Sequence, residues 1–354
     1  MNEDASLTDI FRRLVANTGP ISLQHYMGEA NARYYNDRDP LGTGGDFVTA
    51  PEISQMFGEL IGLWLADMWI RAGRTEPVHY VELGPGKGTL ARDALRAMKR
   101  YGIEPVVHFV ESSTALKEVQ LQSVPGARFH ADLSFIPLEG PVLLVANEFL
   151  DALPVRQLVK TPDGWRERMV VWDEADGRFA CIAGDRPMDA AVPEARRDQP
   201  DGTLLETSPG AAAILYEAAG RLVNQGGAAL FIDYGYTAPQ AGSTLQAVKA
   251  HRKVDPFMEP GEADLTALVD FDAAAQVAQS RGAKWLGTVT QGEFLTALGI
   301  EGRAEALSNF APHHREALLA AKDRLIAPDQ MGELFKVMAL ADPDWPEGAG
   351  FSVS

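Results

Sequence analysis

The chain has 354 residues, 46% of them hydrophobic, which is enough for one elaborated domain or two fused ones. The formal net charge of −17 argues against a nucleic-acid surface, which needs clustered Lys and Arg, and favours solubility or a basic partner. The single cysteine, Cys181, excludes an intramolecular disulfide and suits a reducing compartment.

The start of the chain, "MNEDASLTDIFRRL", places acids before any base and is typical of neither a secretory signal nor a transit peptide. Apolar runs such as "PVLLVA" and "AALFI" are too short to cross a bilayer. The histidines show no metal-ligand spacing, so we expect no catalytic metal. These features predict a soluble cytoplasmic protein without a membrane-inserted segment.

The predicted elements begin with helices over about residues 6–72, which the Gly-rich stretch "DPLGTGGDFVTAPE" interrupts. From residue 78 strands alternate with helices, which predicts an α/β fold with a mostly parallel, doubly wound sheet. The predicted strands are 78–83, 105–110, 127–130, 141–147, 228–233, 283–288 and 334–340. The predicted helices are 89–100, 113–122, 209–224 and 271–281, with several further helices in the C-terminal part of the chain.

Two segments interrupt this alternation. Residues 155–182 indicate short antiparallel strands with turns at "PDG" and "ADG", and the polar residues 183–202 indicate a loop. Residues 237–265 resemble a long loop, of the kind that often forms a lid or a binding loop. The predicted organisation is an N-terminal helical segment with a Gly-rich loop, 1–75, and a core, 76–354, with insertions at about 155–205 and 237–265.

The motif "ELGPGKG" marks the turn from the first strand of the sheet to the following helix. It contains Glu82 and three glycines at alternate positions, Gly84, Gly86 and Gly88. Ligands of doubly wound sheets bind at the carboxyl ends of the strands, and glycine lets the backbone approach them closely. The motif therefore predicts a ligand-binding loop, and a tight turn without a ligand is the alternative.

The spacing of this loop discriminates between ligands. A phosphate-binding P-loop needs Gly-Lys-Ser/Thr in direct succession, but Gly88 separates Lys87 from Thr89. A dinucleotide fingerprint needs its third glycine one residue later. The spacing fits the acid-x-Gly-x-Gly-x-Gly loop that binds S-adenosyl-L-methionine (SAM), whose ammonium and sulfonium groups an acid at Glu82 would attract.

Acids after the next two strands are candidates for binding the adenosine. Glu111, in "FVESS", can accept hydrogen bonds from both ribose hydroxyls, or it can be a helix N-terminal acid that the helix dipole favours. In "FHADL", Asp132 can accept from the adenine amino group, and the Leu133 backbone can bind the ring. The order of these residues after the glycine loop strengthens this interpretation.

The strand over 141–147 ends in "VANEFLDALPV", where Asn147, Glu148 and Asp151 gather beside the expected position of the methyl group. In-line methyl transfer needs alignment, plus a base if the nucleophile carries a proton. Two acids can hold a guanidinium in a fork of hydrogen bonds, whereas helix capping is the alternative, above all for Asp151. Tyr234, in "FIDYGY", can line the acceptor slot or pack as a core aromatic.

Several segments together resemble the MidA-like methyltransferases, whose mitochondrial members are assembly factors for respiratory complex I. They are "GPISLQHYM", "GDFVTAPEISQMFGE", "ELGPGKGTL", "NEFLDALPV", "IDYG" and "DLTALVDF", and the resemblance runs from about residue 19 to the last helices. It implies a Rossmann-like class I core with SAM as the methyl donor. It also implies that the "GDF" segment, with Asp46 and Phe47, covers the site.

For the mitochondrial members, the resemblance implies methylation of an arginine on a complex I subunit. We therefore expect a SAM-dependent protein arginine methyltransferase that acts on such a subunit or on a similar protein. Two alternatives stay open at this point: a small-molecule methyltransferase with the same donor site, and a non-catalytic SAM-binding assembly chaperone.

Overall fold

The computed structural model describes residues 6–37, 49–238, 240–249 and 252–351. The chain divides into two compact units. The first unit comprises Met1–Pro40, Asp151–Ala211 and Ala238–Leu268, and the second comprises Leu41–Leu150, Ala212–Thr237 and Val269–Ser354. Within the described ranges, no helix is long and apolar enough to cross a membrane.

Several helices begin at side-chain caps that the sequence provides. The Ser6 hydroxyl accepts from the N–H of Asp9, and the Ser113 hydroxyl accepts from the N–H of Leu116. The helices are α1 Leu7–Thr18, α2 Leu23–Asp37, α3 Ala50–Ile53, α4 Gln55–Arg71, α5 Thr89–Lys99, α6 Thr114–Ser123, α7 Pro209–Gln225, α8 Phe271–Ser280, α9 Gln291–Ala297, α10 Ile300–Phe310 and α11 Arg315–Ile326. Short 3₁₀ turns occupy Leu133–Phe135, Asp189–Ala191, Glu194–Arg196 and Pro312–His314, and a π turn occupies Pro328–Gly332.

The strands are β1 Ile21–Ser22, β2 His79–Leu83, β3 Val106–Val110, β4 Arg128–His130, β5 Val142–Asn147, β6 Arg156–Thr161, β7 Gly164–Asp173, β8 Arg178–Pro187, β9 Leu204–Thr207, β10 Gly227–Tyr236, β11 Gln246–Lys249, β12 Arg252–Val254, β13 Asp264–Thr266, β14 Val269–Asp270, β15 Lys284–Thr290 and β16 Phe335–Ala341. The seven strands predicted with bounds are present as β2, β3, β4, β5, β10, β15 and β16, and their ends lie within three residues of the predicted ones.

The first unit is built on two antiparallel sheets. One has the strand order β1-β7-β6-β9 with β8 paired to β7, and the other has the order β12-β11-β13. The antiparallel strands predicted over 155–182 are confirmed, but β8 continues to Pro187 into the predicted loop. The loop predicted over 237–265 is wrong, since it contains β11, β12 and β13. Its strands are short, and β12 is exposed along its length, so they lack the apolar alternation that reveals a strand.

The second unit contains an eight-stranded sheet of order β15-β16-β10-β5-β2-β3-β4, with β14 paired to β10. The strands from β4 to β10 in this order run parallel, and β16 is antiparallel to its neighbours β10 and β15. From β2 the chain builds outward to β3 and β4 and then returns to place β5 on the other side of β2. This reversal is a topological switch point, where ligands of open α/β sheets bind. The carboxyl ends of β2 and β5, at Leu83 and Asn147, flank it.

Helices α4 and α5 pack closely in the second unit. A Cβ atom on Gly62 would lie 2.3 Å from the carbonyl oxygen of Ala94, so only glycine allows this approach. The buried carboxylate of Glu59 accepts hydrogen bonds from Arg96 at 3.1 Å and from Arg303 at 2.7 and 3.0 Å. Burial alone would raise the pKa of Glu59, but these two guanidinium groups outweigh it and lower the pKa. The charge network thus fixes the helix, α5, that follows the glycine turn.

Three histidines form a hydrogen-bonded chain across β2, β3 and β4. His79 Nε2 lies 2.7 Å from the carbonyl oxygen of Glu139, and since a carbonyl only accepts, this nitrogen carries the proton. His79 Nδ1 therefore accepts from His108 Nε2 at 2.9 Å, and His108 Nδ1 accepts from His130 Nε2 at 2.9 Å. The partners thus fix the tautomer of each neutral ring.

Replacing the central ring, His108→Leu, should change how stability depends on pH. Burial, together with the nearby His79, His130 and Arg128, lowers the pKa of His108 to about 3. Because the ordinary pKa is about 6.5, unfolding takes up a proton below that pH, and stability falls by about 1.4 kcal/mol per pH unit on acidification. In His108→Leu, this contribution to the dependence of stability on pH should be absent.

Urea unfolding at a series of pH values between about 5 and 7.5 measures this slope. At the upper end the variant should be about 1–3 kcal/mol less stable, because His79 and His130 lose their partner. The exposed histidine His313, replaced as His313→Leu, is the control. If the free energy of unfolding of His108→Leu depends on pH with the same slope as that of the natural protein, the lowered pKa of His108 is contradicted.

Candidate active site

The glycine turn after β2 is held in conformations that favour glycine. The φ angles are +59° at Gly84, +53° at Gly86 and +75° at Gly88. A Cβ atom on Gly84 would lie 2.8 Å from the Phe149 ring, and one on Gly88 would lie 3.2 Å from the Cβ of Ser123. Protein neighbours therefore restrict a side chain at positions 84 and 88, in addition to the positive φ angles and the ligand approach that the motif predicts.

Side chains of helix α6 hold the glycine turn by donating hydrogen bonds to carbonyl oxygens of the turn. The Gln120 side chain donates to the carbonyl of Gly86 at 2.7 Å, and the Ser123 hydroxyl donates to the carbonyl of Lys87 at 2.7 Å. Gln120 also donates to Glu111 at 3.0 Å. Sequence reasoning missed both side chains, because a polar residue on a predicted helix carries no motif. Their only signal is their helical spacing of three, which places both on one face.

Glu111 lies at the end of β3 with a buried carboxylate. Its Oε1 accepts from the N–H of Ser113 at 2.7 Å, and its Oε2 accepts from Gln120. Its own N–H donates to the carbonyl of His130. A carboxylate has about four acceptor sites, so each oxygen can accept a further hydrogen bond, as a ribose diol would require.

Glu82 is the last acid of β2 before the turn and is 3% exposed. The Tyr80 hydroxyl donates to its carboxylate at 2.6 Å. Burial raises the pKa of Glu82 to about 8, although the hydrogen bond from Tyr80 opposes this shift. A cation placed beside this carboxyl would favour its ionised form.

The predicted adenine residues have different surroundings. Asp132 is exposed, and its carboxylate accepts from both the N–H and the hydroxyl of Ser134, which lowers its pKa and caps the short 3₁₀ turn. Leu133 is buried in that turn. Adenine binding by these residues stays a prediction. Asp46 and Phe47 lie outside the described residues.

At the carboxyl end of β5, Glu148 has a φ of +51°, a strained value for a residue with a side chain. Such strain costs about 1–3 kcal/mol and clusters at functional sites. Its N–H donates to the carbonyl of Ile232 at 2.9 Å, which extends the pairing with β10. Its Oε1 accepts from the N–H of Ala50 at 3.3 Å and from Asn147 Nδ2 at 3.1 Å. The first turn of α3 and Asn147 thus orient this carboxylate.

The side chain of Asn147 has one polar atom without a hydrogen-bond partner, its oxygen Oδ1. Because its Nδ2 donates to Glu148, its carbonyl oxygen Oδ1 is directed elsewhere. This oxygen is buried and has no hydrogen-bond partner. Buried polar groups almost always have partners, so this unpaired acceptor at the end of β5 is an exception that needs an explanation.

Asp233, at the end of β10, organises the loop after β5. One carboxylate oxygen accepts from the N–H groups of Phe149 at 3.1 Å and Leu150 at 2.8 Å, and the other accepts from the N–H of Tyr234. The Tyr234 ring packs against Phe335 with their centroids 3.9 Å apart. Tyr234 is therefore at the predicted edge, with one ring face against the protein.

Asp151 lies in the first unit, whereas Asn147, Glu148 and Tyr234 lie in the second. The carbonyl of Asp151 accepts from the N–H of Ala267 at 2.9 Å, and its side chain is buried. The joint action of Glu148 and Asp151 on one guanidinium therefore stays a prediction.

The switch point, the glycine turn and the buried acid after β3 define a Rossmann-like nucleoside-binding protein. A family model described as "Putative S-adenosyl-L-methionine-dependent methyltransferase" matches residues 60–289. The chain belongs to this family, which confirms the resemblance to the MidA-like methyltransferases.

Known relatives are similar over nearly the whole chain. Protein arginine methyltransferase NDUFAF7, mitochondrial, of Mus musculus is 36% identical and aligns with 96% of this chain and 85% of its own length. The Homo sapiens protein of the same name gives the same three values, 36%, 96% and 85%. A solved structure from Burkholderia thailandensis, bound to S-adenosyl-homocysteine, is 30% identical with a TM-score of 0.83 and covers 98% of this chain and 94% of its own.

The raised pKa of Glu82 predicts proton release when SAM binds. In the free protein the carboxyl is mostly protonated at about pH 7, and a cation beside it lowers its pKa. Titration calorimetry in two buffers of different ionisation enthalpy should then show the release of up to about one proton. Glu82→Gln should abolish the dependence on the buffer. Equal heats in both buffers for the natural protein would contradict this role.

Proposed function

We propose that the protein transfers a methyl group from SAM to a guanidinium nitrogen of an arginine in another protein. The observation that carries this proposal is the pair at the end of β5: a strained Glu148 and the unpaired, buried oxygen of Asn147. Family membership supports the methyl donor, and the relatives named as arginine methyltransferases support the acceptor.

The residues after β2 and β3 fit the donor. Glu111 has an oriented carboxylate with acceptor capacity left for ribose hydroxyls, and Glu82 has a buried carboxyl that a cation would ionise. The left-handed conformation at Gly86 leaves backbone without a side chain in the turn that follows Glu82. When bound, SAM supplies a methyl group on a positively charged sulfur.

The residues after β5 fit the acceptor. A guanidinium is a planar set of donors, so one N–H can donate to Asn147 Oδ1 and another to the Glu148 carboxylate. These two contacts would hold one nitrogen in line with the methyl group. As the nitrogen–carbon bond formed, the methyl–sulfur bond would break and its electron pair would remain on the sulfur of the leaving S-adenosyl-homocysteine. The methylated nitrogen must then lose a proton, and Glu148 would accept it. Asp151 would be a second acid for the same guanidinium.

We further propose that the acceptor arginine lies exposed on a subunit of respiratory complex I or on a similar protein, and that the reaction is cytoplasmic. The net charge of −17 supports a cationic partner, because it attracts a basic segment over long range. The single cysteine suits a reducing compartment, as the cytoplasm is. The relatives, in contrast, are named mitochondrial.

Glu148→Gln should separate donor binding from transfer. The glutamine oxygen can still accept from Ala50 and Asn147, so the local fold and the affinity for SAM should stay nearly unchanged. Loss of the charge and of the base should lower the rate of transfer about 10²- to 10⁴-fold. Single-turnover transfer from labelled SAM, with the dissociation constant measured separately, tests this. Transfer at the natural rate would show that the role of Glu148 is wrong.

Labelled SAM added to a lysate with the natural protein or with Glu148→Gln should identify the acceptor. We expect label in a protein, and hydrolysis of that protein should release methylarginine only with the natural enzyme. Label in small molecules alone would contradict a protein acceptor. Binding of SAM without any labelled product would favour the assembly chaperone.

A further inference from the structure

We infer that Gln120 is a positioning residue for the cofactor, because it couples the glycine turn to the ribose-binding carboxylate of Glu111. The inference rests on the proposed function. Gln120 lies on α6, is completely buried, and belongs to none of the sequence motifs.

The contacts of Gln120 leave no ambiguity about the orientation of its amide. Its Nε2 donates to the carbonyl of Gly86 at 2.7 Å and to Glu111 Oε2 at 3.0 Å. Both partners are acceptors, so both N–H groups of the amide are used. Its own Oε1 is buried without a partner, which is unfavourable for a polar atom. This unfavourable burial indicates that the two N–H bonds have a use beyond filling space.

Ser123 supports the same arrangement one turn further along α6. Its hydroxyl donates to the carbonyl of Lys87, so α6 holds two consecutive carbonyls of the turn. In a trans peptide the C=O and the next N–H point in opposite directions. The N–H of Lys87 therefore points away from α6. The helix thus determines which side of the turn presents this N–H group.

The Gln120 amide thus joins two parts of one ligand site. Gly86 belongs to the loop before α5, and Glu111 belongs to the end of β3, so neither part can shift without breaking a hydrogen bond to the amide. Sites that are preorganised in this way bind more tightly because less ordering remains to be done on binding. The ligand class is a nucleoside with a free ribose diol.

The test is Gln120→Met, which keeps an unbranched side chain but removes both donors. Gln291→Met is the matched control, since Gln291 is also completely buried, donates to the carbonyl of Leu325 at 2.8 Å and has an unpaired Oε1. Calorimetric titration with S-adenosyl-homocysteine and thermal unfolding are measured for both. We expect affinity to fall on the order of 10- to 100-fold in Gln120→Met and to change less than about twofold in Gln291→Met.

Equal affinity in Gln120→Met and the natural protein would overturn the inference, as would an equal loss in both variants. If the natural protein itself does not bind, the proposed function fails and takes this inference with it. If the natural protein binds S-adenosyl-homocysteine and Gln120→Met binds it equally well, only this inference fails, and the proposed function stands.

Gln120→Glu is a second variant that preserves shape if the first does not fold. At about pH 7.5 its carboxylate would face the carboxylate of Glu111 and repel it, so binding should be weak. At about pH 5.5 a protonated carboxyl can donate one hydrogen bond, so affinity relative to the natural protein should partly recover. An unchanged ratio between the two pH values would overturn the inference.

Discussion

The constraint on which the second unit depends is the turn after β2, where the chain must reverse within a few residues at the switch point of the sheet. Left-handed conformations at Gly84, Gly86 and Gly88 make this reversal possible. The turn packs against Phe149 at Gly84, and side chains of α6 hold the carbonyls of Gly86 and Lys87. A ligand can therefore meet backbone here only because neighbouring elements keep that backbone in place.

Two carboxyl groups near this turn have different surroundings. Glu111 accepts hydrogen bonds from the N–H of Ser113 and from the Gln120 amide. Glu82 is buried with a single short hydrogen bond from Tyr80, and its pKa is raised to about 8.

Much of the fold could be predicted from the sequence, because buried parallel strands are apolar and glycine marks turns that need φ > 0. The positions of Glu82, Glu111, Asn147 and Glu148 at strand ends followed from the same pattern. Contacts between distant segments could not be predicted: the packing of Phe149 on Gly84, the amide of Gln120, and the histidine chain from His79 to His130 depend on register and helix rotation. Strands β9, β11, β12 and β13 were missed because tertiary pairing stabilises them, rather than local propensity.

The central claim is that a SAM-like nucleoside binds against the turn after β2. A crystal structure of the protein with S-adenosyl-homocysteine tests it most directly. The account predicts the ribose hydroxyls on Glu111, the backbone of Gly86 in contact with the ligand, and the sulfur facing Asn147 and Glu148. A ligand bound elsewhere, or a turn filled by the protein's own side chains in crystals grown at saturating ligand, would contradict it.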